Sequence, residues 1–175
     1  MITFIMPMHE WSAQAQVCFN RLHAQLGNNE IVVVADQCRL PELPAKVLHT
    51  VERSYAAGSR NLGAKHATHD VMVFVDSDIL VPNNFVKHCE DNYDKDQSSI
   101  FCFPMGTEVT DLYTAGFKGM LELYSTHYLY AQPQDTIQQL QGFCCVITKN
   151  LFHKTGHWVE TRTMELEEYA TNIHK

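Results

Sequence analysis

The sequence predicts an α/β fold, a three-layer α/β/α sandwich around a mostly parallel central sheet, and three observations carry that prediction. Two apolar runs, at residues 31–34 and 71–75, lack the polar alternation of a half-exposed strand, so they belong to a sheet covered on both faces. Segments with helical spacing stand between the strand-like runs, the order of a parallel sheet with crossover helices. Aspartates follow both runs, at Asp36 and at Asp76 and Asp78, on the sheet edge where ligands bind in open α/β folds.

Taken in chain order, residues 2–6 form a short apolar strand ended by Pro7, and residues 12–26 form a helix with Val17, Leu22 and Leu26 at helical spacing before Gly27. The run at 31–34 closes a β-α-β unit and stops at Asp36. After a connection containing Pro41 and Pro44, residues 47–51 suit a short strand. An Ala- and Lys-bearing helix at 59–67 follows, with Gly58 where the loop turns into it. The strand at 71–75 ends in Asp76-Ser77-Asp78, and a helix at 83–93 has Pro82 near its start. Beyond it, strands are expected at 99–105 and 142–148, a helix within 112–128, and a last helix at 164–174 whose start is acidic.

A chain of 175 residues fits one domain with one core, which buries about 70% of the unfolded surface. The apolar share of 45% against 19% charged is that of a folded protein. A formal net charge of −7 without a cluster of Lys and Arg argues against a nucleic-acid partner and suits a divalent cation better. The longest apolar runs are too short for a membrane span, and no basic stretch followed by an apolar segment marks the N-terminus, so a cytoplasmic location is expected. Six cysteines contain no C-x-x-C pair, which leaves reduced thiols as the default.

In an extended segment residues two apart point the same way, so Asp76 and Asp78 can present two carboxylates to one place. Their repulsion is relieved when a divalent cation sits between them and a diphosphate. The same triplet also suits a simple strand end and turn. His9-Glu10 is not a zinc-protease motif, because Ala13 stands where the second His would be. An apolar strand followed by D-x-D also occurs in haloacid-dehalogenase-like phosphatases, but Ile79-Leu80 replaces their Gly-Thr. A sugar-nucleotide pyrophosphorylase needs a glycine-rich loop after the first strand, and residues 8–13 hold no glycine.

Arg60-Asn61-Leu62-Gly63-Ala64 followed by Asp70 and the strand into Asp76-Ser77-Asp78 resembles the central motif of the family-2 glycosyltransferases of GT-A fold. Ile5-Met6-Pro7-Met8-His9-Glu10, the strand into Asp36, and later Gly142-Phe143-Cys144-Cys145, Gly156-His157-Trp158 and Glu165-Leu166-Glu167-Glu168-Tyr169 resemble that family's other motifs in the same order. The resemblance implies one GT-A domain over 1–175, with a nucleotide-sugar donor half at 1–80 and an acceptor half at 81–175 that is shortened at its C-terminus. It also implies an inverting glycosyltransferase that uses Mn2+ or Mg2+ and takes a UDP- or GDP-sugar to a hydroxyl on a glycan, lipid or small molecule.

Carried over residue by residue, the resemblance makes Asp78 and Asp76 the metal ligands. Donor contacts fall to Pro7, Glu10, Asp36, Arg60, Asn61 and Asp76, and acceptor contacts to Gly142 and Trp158. Glu168 is expected to be the base, with Glu167 next and Glu165 last; an acidic first turn that complements the helix dipole is the alternative. Asp36 also suits a plain turn residue, Arg60 a structural ion pair, and Trp158 the core. Arg60 and Asn61 are expected to open their helix with N–H groups toward the donor. Glu10, Ala35 and Glu168 stand where the family often has Asn, Asp and Asp. A second copy of the chain, in a homo-oligomer, would complete a shortened acceptor wall. The other reading is a domain that binds a nucleotide sugar without transferring it.

Overall fold

The computed structural model describes residues 1–93, 101–102 and 144–158. Strands β1 (Ile2–Met8), β2 (Glu30–Ala35), β3 (Lys46–His49), β4 (Val71–Val75), β5 (Phe101–Cys102) and β6 (Cys144–Thr148) form one sheet in the order β3-β2-β1-β4-β6-β5. β1 pairs in parallel with β2 and β4, and β2 with β3. β6 runs antiparallel to β4 and β5. The sheet is therefore parallel across its first four strands and reverses at β6, which begins beside the end of β4, with Cys144 opposite Val75.

Alternation along the buried strands divides the core in two. Ile2, Phe4, Met6 and Met8 of β1 and Val71, Val73 and Val75 of β4 pack with α1 (Ala13–His23) and α3 (Phe85–Asn92) through Phe19, Leu22, Phe85 and Val86. Ile5, Met72, Phe74, Cys145 and Ile147 point the other way, onto α2 (Tyr55–His66) and α4 (Lys149–Thr155) through Ala57, Ala64 and Phe152. Ser12 starts α1 by accepting a hydrogen bond from the Ala15 amide at 3.1 Å, and Thr148 starts α4 the same way with Leu151 at 3.3 Å. α2 lies close on the sheet because position 63 is glycine. A Cβ there would meet Ile5 Cγ2 at 2.3 Å and Val34 Cγ2 at 3.3 Å.

Several expectations need correction. β1 runs through Pro7 to Met8 instead of ending at Pro7, and α1 ends at His23 instead of residue 26. α2 begins at Tyr55, four residues before the expected 59, and Gly58 is a buried residue within it rather than its entrance. β3 ends at His49, leaving Val51 95% exposed in the following loop. α3 begins at Phe85 rather than residue 83. Only residues 101–102 of the strand expected at 99–105 are described, and the helices expected within 112–128 and at 164–174 lie outside the described residues. Among the described residues no helix is long and apolar enough to cross a membrane.

Candidate functional site

At the C-terminal ends of β1, β2 and β4 a cavity of about 290 Å³ opens, lined by residues that include Pro7, Asp36, Arg60, Asp76 and Asp78. Each strand stops where its apolar run meets a polar residue, so the sheet edge itself brings these side chains together. Asp78 is exposed, whereas the Asp76 side chain is 28% accessible.

Asp76 is held by Arg60. The Arg60 Nη2 donates to Asp76 Oδ1 at 2.7 Å, from a side chain only 4% exposed. Burial pushes the Asp76 carboxyl above the usual carboxylate range; the Arg60 charge opposes that rise and the Asp78 charge adds to it. Beneath the site, the Cys18 thiol contacts the Asp76 carbonyl oxygen at 3.6 Å. Burial, with smaller contributions from Asp78 and Asp76, pushes that thiol up to about 12, so Cys18 is an inert packing residue.

Asp36 serves the fold as well as the cavity. Its Oδ1 accepts from Thr50 Oγ1 at 2.8 Å and from the Ser54 amide at 2.9 Å, and its Oδ2 accepts from the Tyr55 amide at 2.9 Å. One buried carboxylate thus ties the loop after β3 to the start of α2. Asp36 is 7% exposed, with its Oδ2 engaged by a single donor.

The R-N pair sits in the second turn of α2, not at its start, so its amides are inside the helix and the expected N–H contact to a donor is corrected. The side chains have separate tasks. Asn61 Nδ2 donates to the Trp158 carbonyl at 2.8 Å while the Trp158 amide donates to Asn61 Oδ1 at 3.0 Å. The Arg60 guanidinium lies over the Trp158 ring, 4.9 Å from its centroid, and Phe74 meets that ring edge-on at 5.4 Å. Trp158 is 2% exposed, so its ring is core and is not available to stack on an acceptor sugar. Glu10 is exposed, outside the cavity lining. Gly142, Glu165, Glu167 and Glu168 lie outside the described residues.

Ser77, the middle of the D-x-D triplet, also lines the cavity, as do His9, Arg53, Tyr55 and Ser59, to which sequence reasoning gave no role. His9 neighbours residues that were identified. Arg53 and Tyr55 carried a usable signal only for a reader who starts α2 at its true first turn.

The sequence profile of glycosyl transferase family 2 matches residues 3–156. No curated protein matches the chain. Among solved structures, TarS of S. aureus matches at 17% identity with a TM-score of 0.69, covering 98% of this chain and 33% of that one. The mannosyltransferase PcManGT from Pyrobaculum calidifontis, in complex with GDP-Man and Mn2+, matches at 16% identity and a TM-score of 0.68, covering 98% and 51%. GalNAc-T7 with UDP, GalNAc and Mn2+ matches at 14% identity and 0.68, covering 98% and 40%. These likenesses establish a GT-A fold, and the chain spans about a third to a half of the length of the structures it matches.

Proposed function

The chain belongs to glycosyl transferase family 2, and from that premise we propose that it moves a sugar from a UDP- or GDP-sugar to an acceptor hydroxyl, inverting the anomeric centre with the help of Mn2+ or Mg2+. The observation that carries this reading is the convergence of Arg60, Asp76 and Asp78 on one cavity at the ends of parallel strands. The GDP-Man, UDP and Mn2+ bound in similar structures support the donor class and the cation.

The residues fit a hard divalent cation. Asp76 and Asp78 offer carboxylate oxygens, and such a cation is commonly held by one or two carboxylates plus substrate phosphates and water. Among the described residues no group of three or more His, Cys, Asp or Glu forms, so the nucleotide's phosphates would complete the shell. When bound, the cation would supply Lewis-acid stabilisation to a departing diphosphate. Asp78, the more exposed, is the main ligand in this reading, and Arg60 fixes Asp76 through its Oδ1.

Asp36 and Pro7 hold the nucleoside side of the donor. Deprotonation of the acceptor hydroxyl is assigned to Glu168, with Glu167 as second choice; a positioned base contributes about 10²–10⁴-fold. The hydroxyl oxygen then attacks the anomeric carbon as the bond to the diphosphate breaks on the opposite face. The acceptor is a glycan, lipid or small molecule, and an acceptor contact is assigned to Gly142 from the sequence. We take the whole chain as one domain, donor half at 1–80 and acceptor half at 81–175, working alone or as a homo-oligomer. The cytoplasmic location expected from the sequence is kept as part of this reading.

Calorimetric titration with UDP- and GDP-sugars, in Mn2+ and in EDTA, tests this reading. Metal-dependent binding that Asp78→Ala abolishes is the expected result, followed by nucleoside diphosphate release when an acceptor is supplied. Binding that persists in EDTA and in Asp78→Ala would remove the metal assignment. Binding without release across acceptors would favour a domain that holds the donor but does not transfer it.

A further inference from the structure

Tyr55 adopts φ 53°, a left-handed conformation in which glycine is the default and a bulky side chain is an outlier. Gln37, at φ 54°, is the other non-glycine residue with positive φ among those described; it is exposed and outside the cavity lining. The Tyr55 backbone is held in place from outside, because its amide donates to Asp36 and the preceding Ser54 amide does the same. That tie needs an N–H only, which glycine would supply without strain. The ring contributes to neither core cluster. It is 38% exposed, lines the cavity, and lies under the Arg53 guanidinium at 5.1 Å. Arg53 lines the same cavity and makes no salt bridge among the described residues.

Strain kept at a cavity wall for a ring that the core does not use points to a ligand. We propose that Tyr55, with Arg53 stacked on it, is the wall that takes the planar base of a nucleoside diphosphate. The proposal rests on the donor-site reading above. Position supports it: Asp76 and Asp78 follow β4, whereas the Asp36–Tyr55 pair follows β2, two strands away in the order β2-β1-β4. That is about 10 Å, which separates a diphosphate end from a base end. An aromatic ring backed by a guanidinium binds a base through its π-face with little preference for which base.

The test is calorimetry of the full chain in Mn2+ with UDP, GDP and inorganic pyrophosphate, on wild type, Tyr55→Gly and Tyr55→Phe. Tyr55→Gly should weaken UDP and GDP about tenfold and leave pyrophosphate unchanged, with a melting temperature at or above wild type. Tyr55→Phe should bind all three as wild type does. Wild-type affinity for UDP and GDP in Tyr55→Gly overturns the inference while the donor-site reading stands. A parallel loss of pyrophosphate also overturns it, placing Tyr55 at the phosphate end. A wild-type protein that binds neither nucleotide removes the donor-site reading, and this inference with it.

Discussion

Arg60 and Asp76 lie on different elements, and the 2.7 Å bond from Nη2 to Oδ1 joins the middle of α2 to the end of β4. The guanidinium is nearly buried and its plane rests on Trp158. Its charge and its flat face both have partners, and lysine supplies only the first.

Replacing Arg60 should therefore cost more than a surface charge would. Removing one partner of a buried ion pair costs about 3–5 kcal/mol; because Asp76 keeps some solvent contact, Arg60→Ala is expected near the lower figure. Arg60→Lys should fall between alanine and wild type. Urea unfolding measures both, and a Lys variant as stable as wild type would show that stacking on Trp158 adds nothing.

Asn61 grips the Trp158 backbone with two hydrogen bonds at 2.8 and 3.0 Å. Asn61→Ala should lose about 1–2 kcal/mol and red-shift Trp158 emission as the ring gains water. The chain holds one other tryptophan, Trp11, so the spectrum is read in a Trp11→Phe background. An unshifted spectrum would mean that Phe74 and Arg60 alone keep the ring in place.

Gly63→Ala improves helix propensity by about 1 kcal/mol yet puts a methyl 2.3 Å from Ile5 Cγ2. Overpacking costs about 1–3 kcal/mol, so net destabilisation is expected by thermal melting. Combining it with Ile5→Ala, which removes Cγ2, in a double-mutant cycle tests whether that contact is the cause.

Glu30 gives a pH-dependent stability. Its Oε1 accepts from the Thr3 hydroxyl and from the Thr68 amide and hydroxyl at 2.6 and 2.7 Å. Burial alone would raise the carboxyl; those hydrogen bonds, helped by His69, outweigh it and hold the group below its usual value. A depressed carboxylate pKa means that the unfolded chain binds the proton more readily. Its stabilisation is therefore present above the unfolded value of about 4.3 and fades as pH falls through the lower folded value. Glu30→Gln should cost about 1 kcal/mol at pH 7, reduced by partial exposure, and converge on wild type as the pH falls below the folded value. A pH-independent difference in denaturant midpoints would assign the effect to shape instead of charge.

The sheet was legible because β-branched runs such as Ile31 to Val34 have one physical use, burial on both faces. Asp76 and Asp78 were legible as a pair for a similar reason, since two carboxylates at a strand end stand close whatever surrounds them. The start of α2 was not, because Gly58 resembles a breaker until the sheet that covers it is known. Asp36 offered a carboxylate at the right edge, but its bond to the Tyr55 amide depends on a loop folding back 19 residues later. The partner of Asn61 is 97 residues away, beyond any local pattern. Positive φ at Tyr55 has no sequence signal at all, since tyrosine is a residue one would not place there.

That 97-residue separation also orders events in time. Contacts distant along the chain pay their loop-closure entropy late, and a protein made from its N-terminus completes early segments first. Four parallel strands and α2 lie within the first 75 residues, so they can assemble while the Trp158 side of Arg60 is still uncovered. The closing of the indole over a guanidinium that already grips Asp76 is then expected to come after the parallel strands have paired. Pulse-labelled hydrogen exchange should find the amides of β1 and β4 protected before the Trp158 amide. The nascent chain would thus carry its ion pair in a wet, weakened form until Trp158 arrives to dry it.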